Sequence, residues 1–583
     1  MYIIHKNLLY YFRPFLLYTL SVITLLFMHE YLRRYGGEGV AVYPCSICIN
    51  VLVTVLDVSI VALMLVCLTK GKVKLSLSMV YLISWLWSFV NVIYIRFFYH
   101  YLPTSTISQI SSLTDGLVID SVLASLKWID FFYVVSFIVF LGLVKKRFYV
   151  QRSLKMVLCF ILLPVLSFFL IILILTIYHF SNPYGLSDMK SYESMLSNVV
   201  WNPQARKKLA PDETVYHAGV IRILVSDIYD QFVQKELSDE ERDMIYKEYS
   251  SIENRVSGHV TNPQVKNVLF LVLESFPSAS SDLIIDGKEI TPFLNSLKQD
   301  PTVYYNGHVL PNITLGESGD GQFIYMTGLL PLRNKITVGE AKTKVLPALP
   351  KILKKDFGIK YTEIVLPTNI QMWQQESMNI VYGIDKTYQN VDFGNNWFTP
   401  INDNQVFKLS ELTNKEKYQP FFSMTLSIDT HYPYGRSKNS SLFLSDKNYS
   451  ESFKNYMCSC HNVDQLIKSY FDYLKATQIY DNSLIVIVSD HQAHVDALDM
   501  GDKISNEIPL YIINGNVDKT SSWSGRCNQL DVFTTILDVL NIDSNWRGLG
   551  HTLLTPNYVT SVTSNTWDIS ELIIESDYFR EKL

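Results

Sequence analysis

Five apolar runs, at 12–28, 47–69, 75–95, 129–144 and 154–178, constrain this chain more than anything else in it. Each is long enough, or nearly so, to cross a hydrocarbon core about 30 Å thick, which takes roughly 20 helical residues. The run at 129–144 is short, and alone it reads equally as a buried core helix. Five such runs in succession, with so few charges in them, read as membrane spans. The first run is followed by "FMHEYLRRY", which lacks the small residues of a cleavage site, so it reads as a retained anchor and not a signal peptide.

Basic residues next to the spans set an expected orientation, because cytoplasmic loops are enriched in Lys and Arg. Lys6 and Arg13 precede or open the first span, and Lys70, Lys72 and Lys74 follow the second. Lys145, Lys146, Arg147, Arg152 and Lys155 follow the fourth. Those segments fall on one side, and they outnumber Arg33 and Arg34 in an outer loop. With five crossings, residue 181 onward is expected outside the cytoplasmic (inner) membrane. The expected division is a transmembrane domain at 1–180, a juxtamembrane helical linker at 181–262 and an extracytoplasmic domain at 263–583.

The formal net charge is −5, and no basic stretch lies in the soluble part, which argues against nucleic acid as a partner. Seven cysteines are too few for a disulfide scaffold. Cys45 with Cys48, and Cys458 with Cys460, read either as disulfides in an oxidising exterior or as metal or redox pairs.

Beyond residue 262, apolar strand-like runs alternate with helical patterns. The candidate strands are "NVLFLVL" (267–273), "YTEIVL" (361–366), "PFFSMTLS" (420–427), "SLIVIVS" (483–489) and "IPLYII" (508–513). Val463, Leu466, Ile467, Tyr470, Phe471 and Leu474 recur at helical spacing, and "DVFTTILDVL" (531–540) reads as a second helix. Continuous apolar strands separated by amphipathic helices indicate an α/β domain with a mostly parallel central sheet.

In such sheets ligands gather beyond the carboxyl ends of the strands. Glu274 directly follows the first candidate strand, and Asp490 and His491 follow the fourth. Two carboxylates and an imidazole make a donor set for one divalent cation. The hydroxyl nucleophile such a site needs is available in "TLGESGDGQF" (314–323), which alone reads as a polar surface turn.

These motifs together resemble the lipoteichoic acid synthase and phosphoglycerol transferase group, in the sulfatase branch of the alkaline phosphatase superfamily. The resemblance is carried in order by five spans, "RFFYHYLPTSTISQISSL", "NVLFLVLES", "EITPFLNSL", "GESGDGQF", "MWQQESMNIVYGIDK", "THYPY" and "YFDYLKATQIYDNSLIVIVSDH". It implies that Glu274, Ser318, Asp490 and His491 bind the metal, with Mn²⁺ first and Zn²⁺ or Mg²⁺ after it. Ser318 would be the nucleophile where the family usually has threonine. It further implies substrate-side roles for His431 and Trp373. Gln375 stands where the synthases carry a phosphate-gripping arginine, and Arg436 is a candidate to replace that grip from another loop.

The activity implied is transfer of a phospho-headgroup from a membrane phospholipid to an envelope glycan or glycolipid through a phosphoserine. A phosphoethanolamine transferase acting on lipid A or a surface glycan uses the same core, so the headgroup stays open. A non-catalytic polymer-binding protein is the alternative of a different class. A true sulfatase is disfavoured, since "LLPLR" (329–333) has Leu329 where a formylglycine precursor belongs.

Overall fold

The computed structural model describes residues 2–36, 46–106, 109, 116–145, 154–181, 211–232, 235–257, 264–414, 420–434, 442–446, 448–493 and 505–581. They form two compact units, Met1–Thr104 with Ser125–Val233, and Ser105–Ala124 with Gln234–Leu583. The division thus falls inside 181–262, and a short piece of the loop between apolar helices belongs to the second unit.

The first unit is built from the helices Tyr2–Tyr35, Ser46–Leu68, Val73–Phe98, Phe131–Val144 and Leu154–Ser181. Among the described residues, four stretches, Arg13–Tyr35, Ser46–Leu68, Val73–Phe98 and Phe160–Ile177, are long and apolar enough to cross a membrane. A fifth span exists if Val118–Ser125 and Trp128–Val144, bent by 86°, count as one. The short fourth run is the reason: Phe131–Val144 has 14 residues, about 21 Å of helix.

Several buried polar groups inside this unit are paired with one another. The Arg96 guanidinium grips the Asp130 carboxylate through two bonds of 2.7 and 2.5 Å, both side chains being almost wholly buried. Asn50, Thr54 and Asp57 share one face of their helix. Asn50 donates to the Tyr216 carbonyl (2.7 Å), and Asp57 accepts from the Val220 amide (2.6 Å). Helices Pro211–Ala218 and Val220–Phe232 are thereby docked on Ser46–Leu68. Gly219 joins them at φ +89°, where an added Cβ would meet Val53 and Asp57.

The second unit is an α/β domain. Its strands are β1 (Asn267–Leu273), β2 (Ile284–Ile285), β3 (Lys288–Glu289), β4 (Tyr304–Leu310), β5 (Tyr361–Val365), β6 (Lys386–Tyr388), β7 (Phe421–Leu426), β8 (Ser483–Ser489), β9 (Ile508–Ile513) and β10 (Cys527–Asn528). β2 and β3 make a small hairpin; the other eight form one sheet in the order β10-β4-β9-β8-β1-β7-β5-β6. From β8 through β6 every neighbouring pair is parallel, and β9 runs against both β8 and β4. The expected mostly parallel sheet is therefore present, with all five of its anticipated strands in it.

Central strands need apolar residues on both faces, and β1 supplies them by simple alternation. Val268, Phe270 and Val272 enter the cluster that holds Phe323, Met424, Val486 and Phe533. Leu269, Leu271 and Leu273 enter the opposite cluster, with Phe421, Tyr470 and Ile485. The helix Glu451–Ala476 covers that second face with Val463, Ile467, Tyr470, Phe471 and Leu474, and Ser450 caps its start by accepting from the Phe453 amide (3.1 Å). The helix Asp531–Val539 is buried along its whole length on the first face. Cys458 and Cys460 stand as separate thiols in the longer helix, and Cys45 lies outside the described residues.

Candidate active site

Parallel direction brings the carboxyl ends of β1, β5, β7 and β8 to one edge. β4 ends there too, since it opposes β9, which opposes β8. Glu274 follows β1, Asp490 and His491 follow β8, and the loop after β4 leads to the helix Ser318–Thr327. The loops after β7 and β5 carry His431 and Trp373.

Glu274, Asp490 and His491 place one ligand atom each within 4.8 Å of one another, all three residues being buried. His491 Nε2 lies 3.4 Å from Glu274 Oε1 and 3.6 Å from Asp490 Oδ2. Ser318 Oγ donates to Glu274 Oε2 at 3.1 Å and stands 3.2 Å from His491 Nε2. The structure thus brings four of the sequence-derived residues into one cluster.

Surrounding bonds fix each of them. Asp490 Oδ1 accepts from the amides of Ser275 (2.7 Å) and His491 (2.8 Å), leaving Oδ2 toward the cluster. His491 Nδ1 donates to the Gln492 carbonyl (2.8 Å), which makes Nε2 the nitrogen available to a cation. Ser275 Oγ donates to Glu274 Oε1 (2.6 Å), and the Glu274 amide donates to Ser427 Oγ (2.9 Å).

Charge is crowded here in a way that fits a cation. Burial and the neighbouring Glu274 push the Asp490 carboxyl up to about 8. Burial opposes charge on His491, yet Asp490 and Glu274 hold its imidazole well above the ordinary histidine value. Burial would also raise Glu274, but the bond from His491 and the charges of His431 and His491 keep that carboxyl below the usual range. Protons therefore occupy the positions between two carboxylates and an imidazole. A divalent ion would replace them with two positive charges and no steric demand, so the donor set fits one.

Thr314, the other hydroxyl of the nucleophile loop, is employed elsewhere. Its amide and Oγ1 both donate to Asp320 Oδ2 (2.9 and 2.8 Å), which also accepts from the Gly316 amide (2.9 Å). Asp320 is thus the post around which the loop folds. Glu317, just before Ser318, sits at φ 42° and ψ −118°, a left-handed conformation that costs a non-glycine residue about 1–3 kcal/mol. Its Oε2 lies 3.7 Å from His491 Nδ1. Sequence reading passed over Glu317 and Asp320, although both lie inside the quoted "GESGDGQF" motif.

Of the substrate-side candidates, His431 lies close enough to bear on the Glu274 charge, on a loop held where Asp403 accepts from the amides of Ile428 (2.6 Å) and Asp429 (3.1 Å). Trp373 packs with Met372 and Ile428, its ring 3.4 Å from where a Cβ on Gly319 would stand. Gln375 is buried, with Nε2 donating to Asn379 Oδ1 (2.6 Å), and does not join the cluster. Arg436 lies outside the described residues.

The close approach of Gly321 to the Asp490 backbone gives a first prediction. A Cβ there would fall 2.3 Å from the Asp490 carbonyl oxygen, which is backbone and cannot swing aside. Gly321→Ala is expected to separate the Ser318 helix from the β8 end, at a cost of about 1–3 kcal/mol. Thermal denaturation of purified protein checks it; an unchanged midpoint refutes the contact.

A family model described as lipoteichoic acid synthase N-terminal domain matches residues 5–199, and one described as sulfatase matches residues 266–542. Lipoteichoic acid synthase 2 of Bacillus subtilis is 30% identical across 48% of this chain and 45% of that protein, so the match spans about half of that relative's length. The lipoteichoic acid synthase of Staphylococcus saprophyticus is 25% identical across 97% of this chain and 87% of that protein. Among solved structures, the integral membrane lipooligosaccharide phosphoethanolamine transferase A of Neisseria meningitidis has a TM-score of 0.56 at 13% identity, covering 91% of this chain and 96% of that one. That likeness is one of fold.

Proposed function

The chain belongs to the lipoteichoic acid synthase-like members of the alkaline phosphatase superfamily, multi-pass membrane phosphotransferases, and we propose that it transfers a phospholipid headgroup to an envelope glycan or glycolipid. The observation that carries this reading is the Ser318 hydroxyl held between Glu274 Oε2 and His491 Nε2 at the carboxyl edge of the sheet.

As Ser318 Oγ attacks the phosphorus of the donor, its proton leaves by way of the bond to Glu274 Oε2 and passes to solvent, since Glu274 is held too low to keep it. The bond from phosphorus to the diacylglycerol oxygen breaks, and His431 gives that oxygen a proton. Its Nδ1 is engaged by the Tyr432 carbonyl, so Nε2 serves as the acid. The headgroup phosphate remains on Ser318 until an acceptor hydroxyl attacks the phosphorus and gives its proton to His431 Nε2; the Ser318–phosphorus bond breaks, and Ser318 Oγ recovers a proton from solvent. Glu274, Asp490 and His491 would hold a divalent cation, Mn²⁺ first and Zn²⁺ second, which supplies charge stabilisation for the phosphoryl oxygens. Trp373 would bound the headgroup. Phosphoglycerol is the group taken by resemblance; the neutral amide of Gln375, turned to Asn379, offers it no charged grip.

Intact-protein mass spectrometry after incubation with mixed phospholipids tests the reading. A headgroup phosphate added to the wild-type chain and absent from Ser318→Ala supports it, and the added mass names the headgroup. No adduct and no diacylglycerol release refutes it.

The basic segments at 70–74 and 145–155 support a cytoplasmic side for the turns after the second and fourth runs, and hence a catalytic unit outside the inner membrane. A reporter that works only when exported, fused after residue 262, is expected to be active. Activity of a cytoplasm-only reporter at the same point would remove both the topology and the lipid donor.

A further inference from the structure

The helix Gly116–Ser125 lies between two apolar helices in the chain, but all of it except its last residue, Ser125, belongs to the second unit. The Gly116 amide donates to the Phe398 carbonyl (2.8 Å). Val118 packs on the pair Met372 and Ile428, against which Trp373 also packs. Ser121 Oγ donates to the Tyr432 carbonyl (3.0 Å), and Tyr432 Oη returns a bond to the Ala124 carbonyl (3.0 Å). One face of this helix therefore joins the apolar cluster on which Trp373 rests and bonds the residue next to His431, at the rim of the Ser318 site.

Its other face is apolar and uncovered. Ile119 is 47% exposed and Leu123, one turn on, 62%; Phe398 at the anchoring contact is 53% exposed. Exposed apolar residues continue along the chain through Leu126, Trp128 and Phe131 into the apolar helix Phe131–Val144. Only residues 126–130 separate this helix from the apolar helix Phe131–Val144, so in the chain its exposed face is tethered within a few residues of a segment of span-like composition. The helix's one charged residue, Asp120, is exposed beside Ile119, which places it on the interface and not within the hydrocarbon. Trp128 suits the same level.

We propose that Gly116–Ser125 is a lipid-docking element: Ile119 and Leu123 enter the outer leaflet while Val118, Ser121 and Ala124 hold the Trp373 and His431 rim at the surface that supplies the donor. The part concerning the donor rests on the headgroup-transfer reading; the lipid contact does not. It explains why a stretch of inter-span loop is folded with the catalytic unit. Such an arrangement presents the headgroup to Ser318 without extracting the acyl chains.

The test has two arms, both on the full chain in phosphatidylglycerol and phosphatidylethanolamine vesicles. A photoreactive benzoylphenylalanine at position 119 or 123 is expected to capture phospholipid, seen as lipid mass on the peptide; capture of a second copy of the chain, or of another segment of it, overturns the proposal. Ile119→Glu with Leu123→Glu is expected to lower transfer from long-chain donors about tenfold or more while leaving a water-soluble short-chain donor within about twofold. An equal fall for both donors, or no fall for either, overturns it. Ile119→Leu with Leu123→Ile keeps the apolar face and is expected to behave as wild type, which separates lipid docking from misfolding. Should the wild type transfer no headgroup at all, the function fails while the cross-link still decides the docking.

Discussion

Ser318→Ala abolishes headgroup transfer, by a factor on the order of 10³ or more, while metal content and membrane insertion stay as in the wild type. The size follows from the chemistry. Covalent transfer needs an oxygen that attacks phosphorus, and among the described residues only the Ser318 hydroxyl stands between Glu274 Oε2 and His491 Nε2. Ser275 is adjacent, but its Oγ donates to Glu274 Oε1 and its amide is committed to Asp490. Thr314, the residue type usual in the family, has its single hydroxyl hydrogen shared between two acceptors, Asp320 Oδ2 (2.8 Å) and the Leu332 carbonyl (2.7 Å). Ser318→Thr keeps the hydroxyl and is expected to retain measurable transfer, since the added methyl narrows the rotamers without removing the nucleophile. Thr314→Ala should lower stability more than it lowers the rate per folded molecule. Diacylglycerol release by each purified variant, normalised to folded protein, distinguishes these outcomes. Native turnover in Ser318→Ala with a dead Thr314→Ala would move the nucleophile to residue 314.

Much of this site was legible because parallel strands leave a strong trace. "NVLFLVL" and "SLIVIVS" are apolar at every position but their ends, as strands buried on two faces must be, and the residues just past them fall at the ligand-binding edge. Glu274, Asp490 and His491 followed from that alone, and Ser318 from the resemblance. The strands not anticipated are those whose residues do not announce them. β4 reads "YYNGHVL", with Asn306 and Gly307 interrupting the apolar pattern at the register shift against β9. β6 and β10 are 3 and 2 residues long, too short to show a period.

The linker region was harder for another reason. Helices Pro211–Ala218 and Val220–Phe232 are fixed by Asn50 and Asp57, partners more than 160 places away, as the separations 166 and 163 record. A window along the chain cannot see such pairs. The same holds for Glu317: its backbone strain and its approach to His491 exist only after the sheet has formed.

Asp490→Asn removes bound metal along with activity, and the metal affinity of the wild type weakens as pH falls. Asp490 Oδ1 already accepts two amide hydrogens, so the side chain meets the cluster through Oδ2. An amide there turns either an NH₂ group toward the cation or an uncharged oxygen, and the second charged ligand is lost in both cases. An effect of at least 10- to 100-fold in affinity is expected, as for other groups that hold or orient metal ligands. The pH dependence has a definite sign. Without metal, burial and the Glu274 charge push the Asp490 carboxyl up to about 8, and Asp490 and Glu274 hold His491 above its ordinary value, so both shifts favour the protonated forms. A cation must displace those protons, and binding therefore releases them. Affinity rises with pH up to about 8 and beyond, until His491 is also neutral in the metal-free state; below that window each step down in pH costs affinity. Glu274, held low by its histidine neighbours, stays ionised throughout and contributes no slope. Calorimetric titration with Mn²⁺ in buffers of different ionisation enthalpy counts the protons released. A pH-independent affinity with no proton release, or full occupancy after Glu274, Asp490 and His491 are all replaced by alanine, would show that the cation sits elsewhere.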